Sequence, residues 1–207
     1  MDGNTDRRIV RTRLVIRDAL TELIEEKGFE AVSVKDITTR ANINRGTFYL
    51  HYRDKFDLLE QSEAEVIEGI IAIITKATSE DLETYRETGI SVSLIVTVFE
   101  YIEEHAAFLK AILGPKGDVS FQSQLKAMFR KNLLEKNLSP LIRKENLQVP
   151  AEYFLSYVSS AHLGIIQQWL MSGRQETPAE MARILSLLTF RGPFFAAGIA
   201  AVSDPKA

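Results

Sequence analysis

Apolar positions recur every three or four residues along most of the chain, and the strict alternation typical of β-strands is absent. In the first segment, apolar side chains from Ile9 and Leu14 to Leu23 and Ile24 mark one face of a helix. Gly28 follows them and is the residue type that most often ends a helix. The pattern predicts a helix from about residue 6 to residue 27, and an all-α protein.

Two short helices are predicted next. Ser33 and Asp36 have the spacing of a capping box and begin the first of them. Residues 42–44, "NIN", form a turn, and a second short helix follows, so that residues 6–51 have helix-turn-helix organisation. Asp54 then caps a long helix that extends to about residue 77. Its inward face is predicted to comprise Phe56, Leu59, Val66, Ile70 and Ile74.

The rest of the chain also has helical patterns, separated by turn residues. The predicted features, in order, are a helix start at Ser79, one or two helices over 91–113, a loop at 114–118, an amphipathic helix over 119–137, a capped start at 177–180 and a break at 191–193.

Residues 153–173 carry no charged side chain and are long enough for a membrane span. Their serine, histidine and glutamine side chains argue against one, and no basic flank sets an orientation, so we expect no membrane partner. We interpret them as a helix that meets its own core through Tyr153, Tyr157, Ile165 and Trp169 and a partner subunit through its small residues. The predicted homodimer interface comprises Ser156, Ser160, Leu163, Gly164, Gln167, Ile184 and Leu188.

Composition narrows the chemistry. None of the 207 residues is cysteine, which excludes a disulfide scaffold, a thiolate nucleophile and Cys-ligated zinc. The sequence has no His/Asp/Glu cluster with metal-ligand spacing, no glycine-rich phosphate loop and no nucleophile motif. We therefore expect no metal, no cofactor and no enzymatic activity. The first residues contain no signal-peptide core, so we expect a cytoplasmic protein.

Charge is unevenly distributed, although the net charge is only −3. Residues 1–55 hold 11 Lys/Arg against 9 Asp/Glu, whereas the remaining residues hold 14 against 19. Two basic clusters result: five arginines within residues 5–17, and five Lys/Arg within residues 31–55. Local clusters matter more than net charge for binding phosphate. The first cluster either contacts DNA or forms a solvated basic face.

Residues 44–55, "NRGTFYLHYRDK", have two distinct faces when placed on a helix. Phe48 and Tyr52 are four residues apart and are predicted to pack beneath the preceding helix. The opposite face suits the major groove, since its side chains can bond base edges or phosphate, and Lys55 adds a charge beside a helix N-terminus. That face comprises Arg45, Thr47, Tyr49, Leu50 and His51. The alternative is a surface helix without a partner.

The run "RDALTELIEEKGFEAVSVKDITTRANINRGTFYLHYRDKFDLLE" resembles the N-terminal domain of the TetR/AcrR family of bacterial transcription regulators. The "G-F-x-x-x-[ST]-[VT]-x-[DE]-I" step, the "A-x-[IV]-x-x-G-[TS]-[FLI]-Y-x-[HY]-[FY]" helix and "D-K-x-x-L" carry the resemblance. It implies a DNA-binding domain at residues 1–53, a helical effector-binding and dimerisation domain at residues 54–203, and a homodimer on a palindromic double-stranded operator. The family's DNA-contacting positions fall on Ser33, Lys35, Arg45, Gly46, Thr47, Tyr49, Leu50, His51 and Lys55. Leu50 departs from the family by being apolar, and its side chain offers only contact with a thymine methyl group or a sugar.

Two later stretches, "YIEEHAAFLKAILGPKG" and "GIIQQWLMSGRQETPAEMARIL", resemble a branch whose regulatory domain is similar to that of an activator of dihydroxyacetone kinase expression. The resemblance implies a small apolar effector in most of the family and a protein partner in some relatives. A ligand-responsive repressor is the main hypothesis; a co-regulator with weak or no DNA binding of its own is the alternative, and a helical enzyme is a further rival. The candidate pocket residues, which simple core packing would also explain, are Phe99, Phe108, Met128, Phe129, Tyr157 and Trp169.

Overall fold

The computed structural model describes residues 3–76, 93–135 and 146–198. Apart from turns, the regular structure in these ranges is helical, which confirms the all-α prediction. None of the described helices combines the length and apolarity needed to cross a membrane. The α-helices are α1 (Gly3–Lys27), α2 (Val34–Arg40), α3 (Arg45–Tyr49), α4 (Lys55–Thr75), α5 (Ser93–Glu104), α6 (Ala106–Leu113), α7 (Val119–Glu135), α8 (Ala151–Met171), α9 (Pro178–Phe190) and α10 (Gly192–Ala196), and a one-turn 3-10 helix spans Phe29–Ala31.

Local capping explains where several helices begin. At the start of α2 the Ser33 hydroxyl accepts the Asp36 N–H, and the Asp36 carboxylate accepts the Ser33 N–H. A reciprocal pair begins α9, where Thr177 and Glu180 exchange the same two bonds. Both predicted capping boxes are confirmed. The predicted helical stretch 91–113 divides, over its described residues 93–113, into α5 and α6, and the predicted helix start at Ser79 lies outside the described residues.

The chain packs as two compact units. The first comprises Met1–Gly69 and His105–Leu125, and the second comprises Ile70–Glu104 and Lys126–Ala207. The first unit therefore holds α6 as well as the helix-turn-helix, whereas the sequence predicts a boundary between residues 53 and 54. The extent of a domain sufficient for DNA binding stays a prediction, since compact packing alone does not define it.

In the first unit α1 packs against α2 and α6, and its buried face begins at Ile16. The predicted apolar stripe is wrong at its start, because Ile9 and Leu14 are both 43% exposed. Phe56 was predicted to face inward but is 56% exposed. It is the second residue of α4 and lies edge-on to Phe29, with ring centroids 5.4 Å apart.

An ionisable side chain lies within the core of the first unit. Glu63 of α4 is only 3% exposed. Its Oε2 accepts a 3.4 Å hydrogen bond from Gln124 Nε2, and its Oε1 has no partner among the described residues. Burial and the nearby carboxylate of Asp118 raise the pKa of Glu63 to about 7, and Glu60 adds to the effect. Ionising this carboxyl is therefore costly.

In the second unit α9 packs most extensively along α5, and α8 buries the face that carries Leu163. Trp169 of α8 meets Phe99 edge-on at 5.4 Å, and its indole N–H donates to the Glu176 carbonyl at 2.9 Å. Tyr153 and Tyr157 were predicted to meet this core but are 70% and 59% exposed. The helical period explains the error, because both are turned away from the buried face that Leu155 and Ser159 share with Leu163.

Candidate nucleic-acid interface

The link between α2 and α3 is built from local hydrogen bonds. The Ile43 N–H donates to the Thr38 carbonyl at 3.0 Å, and Asn42 has a φ of 51°, a conformation that asparagine tolerates better than most residues. Asn44 caps α3, since its Oδ1 accepts the Gly46 N–H at 2.8 Å. The three residues "NIN" therefore supply both the turn and the cap that orient α3.

The inner face of α3 is anchored as predicted. Phe48 and Tyr52 are buried, with ring centroids 5.7 Å apart. The Tyr52 hydroxyl accepts a 3.2 Å hydrogen bond from Arg13 Nε, and Arg13 also pairs with Glu65 of α4. Burial raises the pKa of the Tyr52 phenol, and the Arg13 guanidinium partly offsets the rise. Arg13 was not predicted to support α3, because no local pattern connects residues 39 positions apart.

The outer face of α3 presents three chemically different side chains to solvent. Tyr49 is 50% exposed and Leu50 is 83% exposed. Arg45 Nη2 donates to the Tyr49 hydroxyl at 3.2 Å, and the Arg45 guanidinium lies 5.9 Å from the Tyr49 ring centroid. Thr47 and His51 are half-buried beside them. A guanidinium, a phenol and an apolar side chain on one face can together contact bases, phosphates and thymine methyl groups.

Gly46 has little reason within the protein to be glycine. It lies in the first turn of α3, and a Cβ added there would meet only Asn44 Oδ1, at an ordinary 3.5 Å. The packing of the protein itself therefore leaves room for a side chain at position 46.

Two of the predicted DNA-contacting residues, Ser33 and Lys35, lie at the start of α2. The Ser33 hydroxyl donates to Asp36 Oδ2 at 2.7 Å as well as accepting from the Asp36 N–H. Hydrogen bonds from Lys27 and from Ser33 hold the pKa of Asp36 well below its usual range, so this cap stays ionised and intact at neutral pH. Lys35 is exposed in the first turn of α2, where it can reach toward a phosphate.

The second basic cluster is less available than the sequence suggests. Arg40 forms 2.8 Å ion pairs with Glu22 and Glu26, and Arg53 pairs with Asp57 at 3.2 Å. Lys55 was predicted to offer a charge at the start of α4, but its ammonium group already bonds two backbone carbonyls.

The arginines of the first basic cluster also divide into two groups. Arg13 and Arg17 both pair with Glu65, and the Arg17 guanidinium lies 6.0 Å from the Phe108 ring. Arg7, Arg8 and Arg11 are exposed on the first turns of α1. Only these three are placed to meet an external phosphate.

The predicted dimer face of α8 is mostly open. Ser156, Ser160 and Gly164 are exposed, and a Cβ added at Gly164 would meet nothing within 4 Å. Leu163 is the exception, because it is buried in its own protomer and offers no surface to a partner. The remaining predicted interface residues, Gln167, Ile184 and Leu188, are half-buried.

The candidate pocket residues do not share one environment. Phe99 and Trp169 are buried against each other in the second unit, where Phe129 also meets His162 edge-on at 4.9 Å. Phe108 is buried in the first unit. Tyr157 is exposed, so its predicted place inside a pocket is wrong. Within the described ranges, no three His, Asp or Glu side chains come together as a metal site.

Comparison with known proteins covers most of the chain. Residues 16–61 match the family of bacterial regulatory proteins named for TetR, and residues 92–191 match the family described as a transcriptional regulator C-terminal region. The HTH-type transcriptional regulator YxbF of Bacillus subtilis is 25% identical over 180 residues, or 86% of this chain. The chain spans only 44% of the length of YxbF.

Solved structures share the fold. A TetR-family transcriptional regulator from Syntrophomonas wolfei superposes with a TM-score of 0.64, at 19% identity, over 93% of this chain and 98% of its own. The dihydroxyacetone kinase operon activator DhaS superposes with a TM-score of 0.56, at 18% identity, over 88% of this chain and 96% of its own. The resemblance identified from the sequence is confirmed, and the chain belongs to the TetR family of bacterial transcription regulators.

Proposed function

We propose that this protein is a homodimeric transcription regulator in which α3 of each protomer reads DNA in the major groove. The observation that carries the proposal is the division of α3 into an anchored face and an open face. Phe48 and Tyr52 hold the helix from beneath, while Arg45, Tyr49 and Leu50 point outward. A helix held in this way can present side chains to base edges without itself rearranging.

Each residue of the open face has a distinct role in this proposal. Arg45 bonds a guanine edge or a phosphate, and Tyr49 both orients Arg45 and bonds a phosphate. Leu50, with no hydrogen bond to give, contacts a thymine methyl group. Phosphate contacts come from Lys35 and from the helix starts at Ser33 and Gly46, and Thr47 and His51 contact the backbone from the edges of the face.

The experiment begins with DNA recovered by selection of random duplexes on the purified protein. Binding of that duplex is then measured by fluorescence anisotropy for Arg45→Ala and Tyr49→Ala, with Arg130→Ala, an exposed arginine of α7, as the control. Each α3 variant should lose about 1–3 kcal/mol of binding free energy, and Arg45→Ala should also relax selectivity at one base pair. Unchanged affinity in both would refute the assignment of α3 to the groove.

The main alternative is a co-regulator that acts through a protein partner. Selection of random duplexes separates the two functions, because a sequence-specific regulator enriches one sequence and binds it with a steep dependence on salt. A protein that enriches no sequence would instead support the alternative.

The dimer is proposed to form through α8. Its face of small residues lets a partner helix approach closely, and the flanking exposed tyrosines supply apolar area, as interfaces require. Gly164→Glu should yield monomers by sedimentation velocity and weaken DNA binding, since two half-sites about 34–36 Å apart need two linked readers. Ala127→Glu, on the exposed side of α7, should remain dimeric. A dimeric Gly164→Glu protein would place the interface elsewhere.

A small apolar effector is proposed to bind in the second unit beside Phe129 and His162. Met128 and Phe129 are only half-buried, and burial lowers the pKa of His162 to about 4, so this imidazole is neutral and suits an apolar neighbour. In a screen of apolar molecules by thermal melting, a stabilising compound should lose its effect in Phe129→Ala but not in Phe194→Ala, which removes an exposed ring. The effector is further expected to release DNA, as in a repressor; a promoter-reporter assay with the effector tests the direction.

A further inference from the structure

The segment that joins α1 to α2 contains a corner, residues 25–31, formed by the end of α1 and the 3-10 turn. Gly28 adopts a φ of 79° there, which favours glycine. The last carbonyls of any helix lack partners within the helix. In this corner the Ile24 carbonyl accepts the Gly28 N–H at 2.9 Å, which leaves the carbonyls that follow to be satisfied from outside α1.

Lys116 provides a hydrogen-bond donor for the carbonyls at the end of α1. Its Nζ donates to the carbonyls of Glu25 and Glu26, each at 3.1 Å, and its own carbonyl accepts the Phe29 N–H at 3.4 Å. The ammonium also lies where the helix dipole of α1 favours a positive charge. Lys116 is thus bound both to the end of α1 and to the 3-10 turn, although it lies about 90 residues further along the chain.

The loop that carries Lys116 is tightly constrained. The Asp118 N–H donates to the Ile112 carbonyl at 3.0 Å, and a Cβ added at Gly117 would lie 2.0 Å from the same carbonyl oxygen. A side chain cannot be accommodated so close to backbone, so position 117 requires glycine. The loop therefore holds Lys116 in place after α6.

Lys55 binds the 3-10 turn of the corner, where the Phe29 carbonyl also accepts the Val32 N–H at 3.1 Å. Its Nζ donates to the carbonyls of Phe29 at 3.1 Å and Glu30 at 2.9 Å. The ammonium also lies 4.7 Å from the Phe29 ring centroid and 5.0 Å from that of Phe56. Lys55 is the first residue of α4, so residues 32–54, which contain α2 and α3, form a loop whose two ends Lys55 joins at the corner.

We propose that Lys116 and Lys55 are positioning residues for DNA binding. Their hydrogen bonds, together called the clamp, hold the corner in one conformation, and this fixes the positions of α2 and α3. The proposal rests on the proposed DNA-binding function and adds to it two roles. Lys55 acts within the protein rather than on a phosphate. Lys116 ties the orientation of the reading helix to α6 and its loop, so a displacement of that loop reaches the corner directly.

The test compares Lys116→Met and Lys55→Met, which keep side-chain length and lose charge, with Lys116→Arg, which keeps the charge. Lys110→Met is the matched control, because Lys110 pairs with the side chain of Glu25, at 3.6 Å, and not with the corner carbonyls. Hydrogen exchange of peptides covering 25–32 should be faster in both clamp variants and unchanged in Lys110→Met and Lys116→Arg. Unchanged exchange in a folded Lys116→Met protein overturns the clamp.

Affinity for the selected duplex, measured across a salt series, separates positioning from phosphate contact. Both clamp variants should bind roughly three- to tenfold more weakly, since two hydrogen bonds of modest net strength are lost. The slope of log K against log [salt] should stay at the wild-type value. Each lost phosphate contact would instead reduce the magnitude of this negative slope by about 0.9, or about 1.8 per dimer. If the magnitude of the slope falls by that amount in Lys55→Met, Lys55 contacts a phosphate and its positioning role is wrong. Lys35→Met is expected to show such a fall.

Failure of the clamp and failure of DNA binding have different results. If the wild-type protein selects no duplex, the proposed function fails, while hydrogen exchange of the corner still reports on the clamp. If the wild type binds DNA but the affinity of Lys116→Met equals that of Lys110→Met, the positioning role is wrong. Should Lys116→Met fail to melt cooperatively, Lys116→Gln serves in both measurements.

Discussion

The buried carboxyl of Glu63 makes the stability of the first unit depend on pH. Its pKa is about 7 in the folded protein against about 4.5 when exposed. The folded state therefore binds more protons than the unfolded state between these two values, and stability falls as pH rises through that window. At 1.36 kcal/mol per pKa unit, integration from pH 5 to pH 8 gives a loss of about 2.5 kcal/mol from this one group.

Glu63→Gln removes the ionisation and keeps the size of the side chain. We expect the free energy of unfolding of the variant, minus that of the wild type, to rise by about 2–3 kcal/mol between pH 5 and pH 8, because only the wild type incurs the cost of a buried charge. Groups common to both proteins cancel in this difference. Urea denaturation followed by circular dichroism measures it, at one fixed protein concentration because a dimer's stability depends on concentration.

Glu68→Gln is the control, since Glu68 is exposed on the same helix. Its difference from the wild type should change little with pH. A Glu63→Gln difference that is equally flat from pH 5 to pH 8 would show that the carboxyl is solvated in solution, and the reasoning from burial would be refuted.

Three further predictions follow from backbone and surface geometry. Gly46→Ala should leave thermal stability nearly unchanged, because its Cβ meets only an ordinary contact, yet weaken binding of the selected duplex several-fold; normal affinity would mean that DNA does not approach α3 closely. Gly117→Ala should destabilise by about 1–3 kcal/mol in urea, since its Cβ would overlap the Ile112 carbonyl, and a wild-type midpoint would contradict the tight loop. Leu50→Ala should reduce selectivity for thymine at one position while preserving the salt slope; a fall in the slope would instead place Leu50 beside a phosphate.

Local features of the fold could be predicted well from the sequence. Capping boxes involve residues three positions apart, so Ser33 with Asp36 and Thr177 with Glu180 were identified correctly. The anchoring of α3 was equally local: Tyr52 lies beyond the end of the helix, but its N–H donates to the Phe48 carbonyl at 3.0 Å, so the two side chains stay on one side as a four-residue spacing predicts.

The errors concern what covers each apolar face. The period of a helix shows that Phe56 or Tyr157 belongs to an apolar stripe, but burial depends on whether another helix packs against that stripe. The long-range hydrogen bonds that support the candidate site could likewise not be predicted from the sequence. The bonds from Arg13 to Tyr52 and from Lys116 to Glu25 join positions 39 and 91 residues apart, and no spacing rule connects them.

The shortness of α3 has a genetic consequence. A helix of five residues is far below the length at which an isolated helix is stable in water, so its shape comes from the contacts beneath it. Substitutions at Phe48, Tyr52 or Arg13 should therefore abolish operator recognition, although Phe48 and Tyr52 are buried and Arg13 is bound to Tyr52 and Glu65. A screen for loss-of-function alleles would return such supporting positions alongside Arg45, and second-site suppressors would be found among the residues that pack against them.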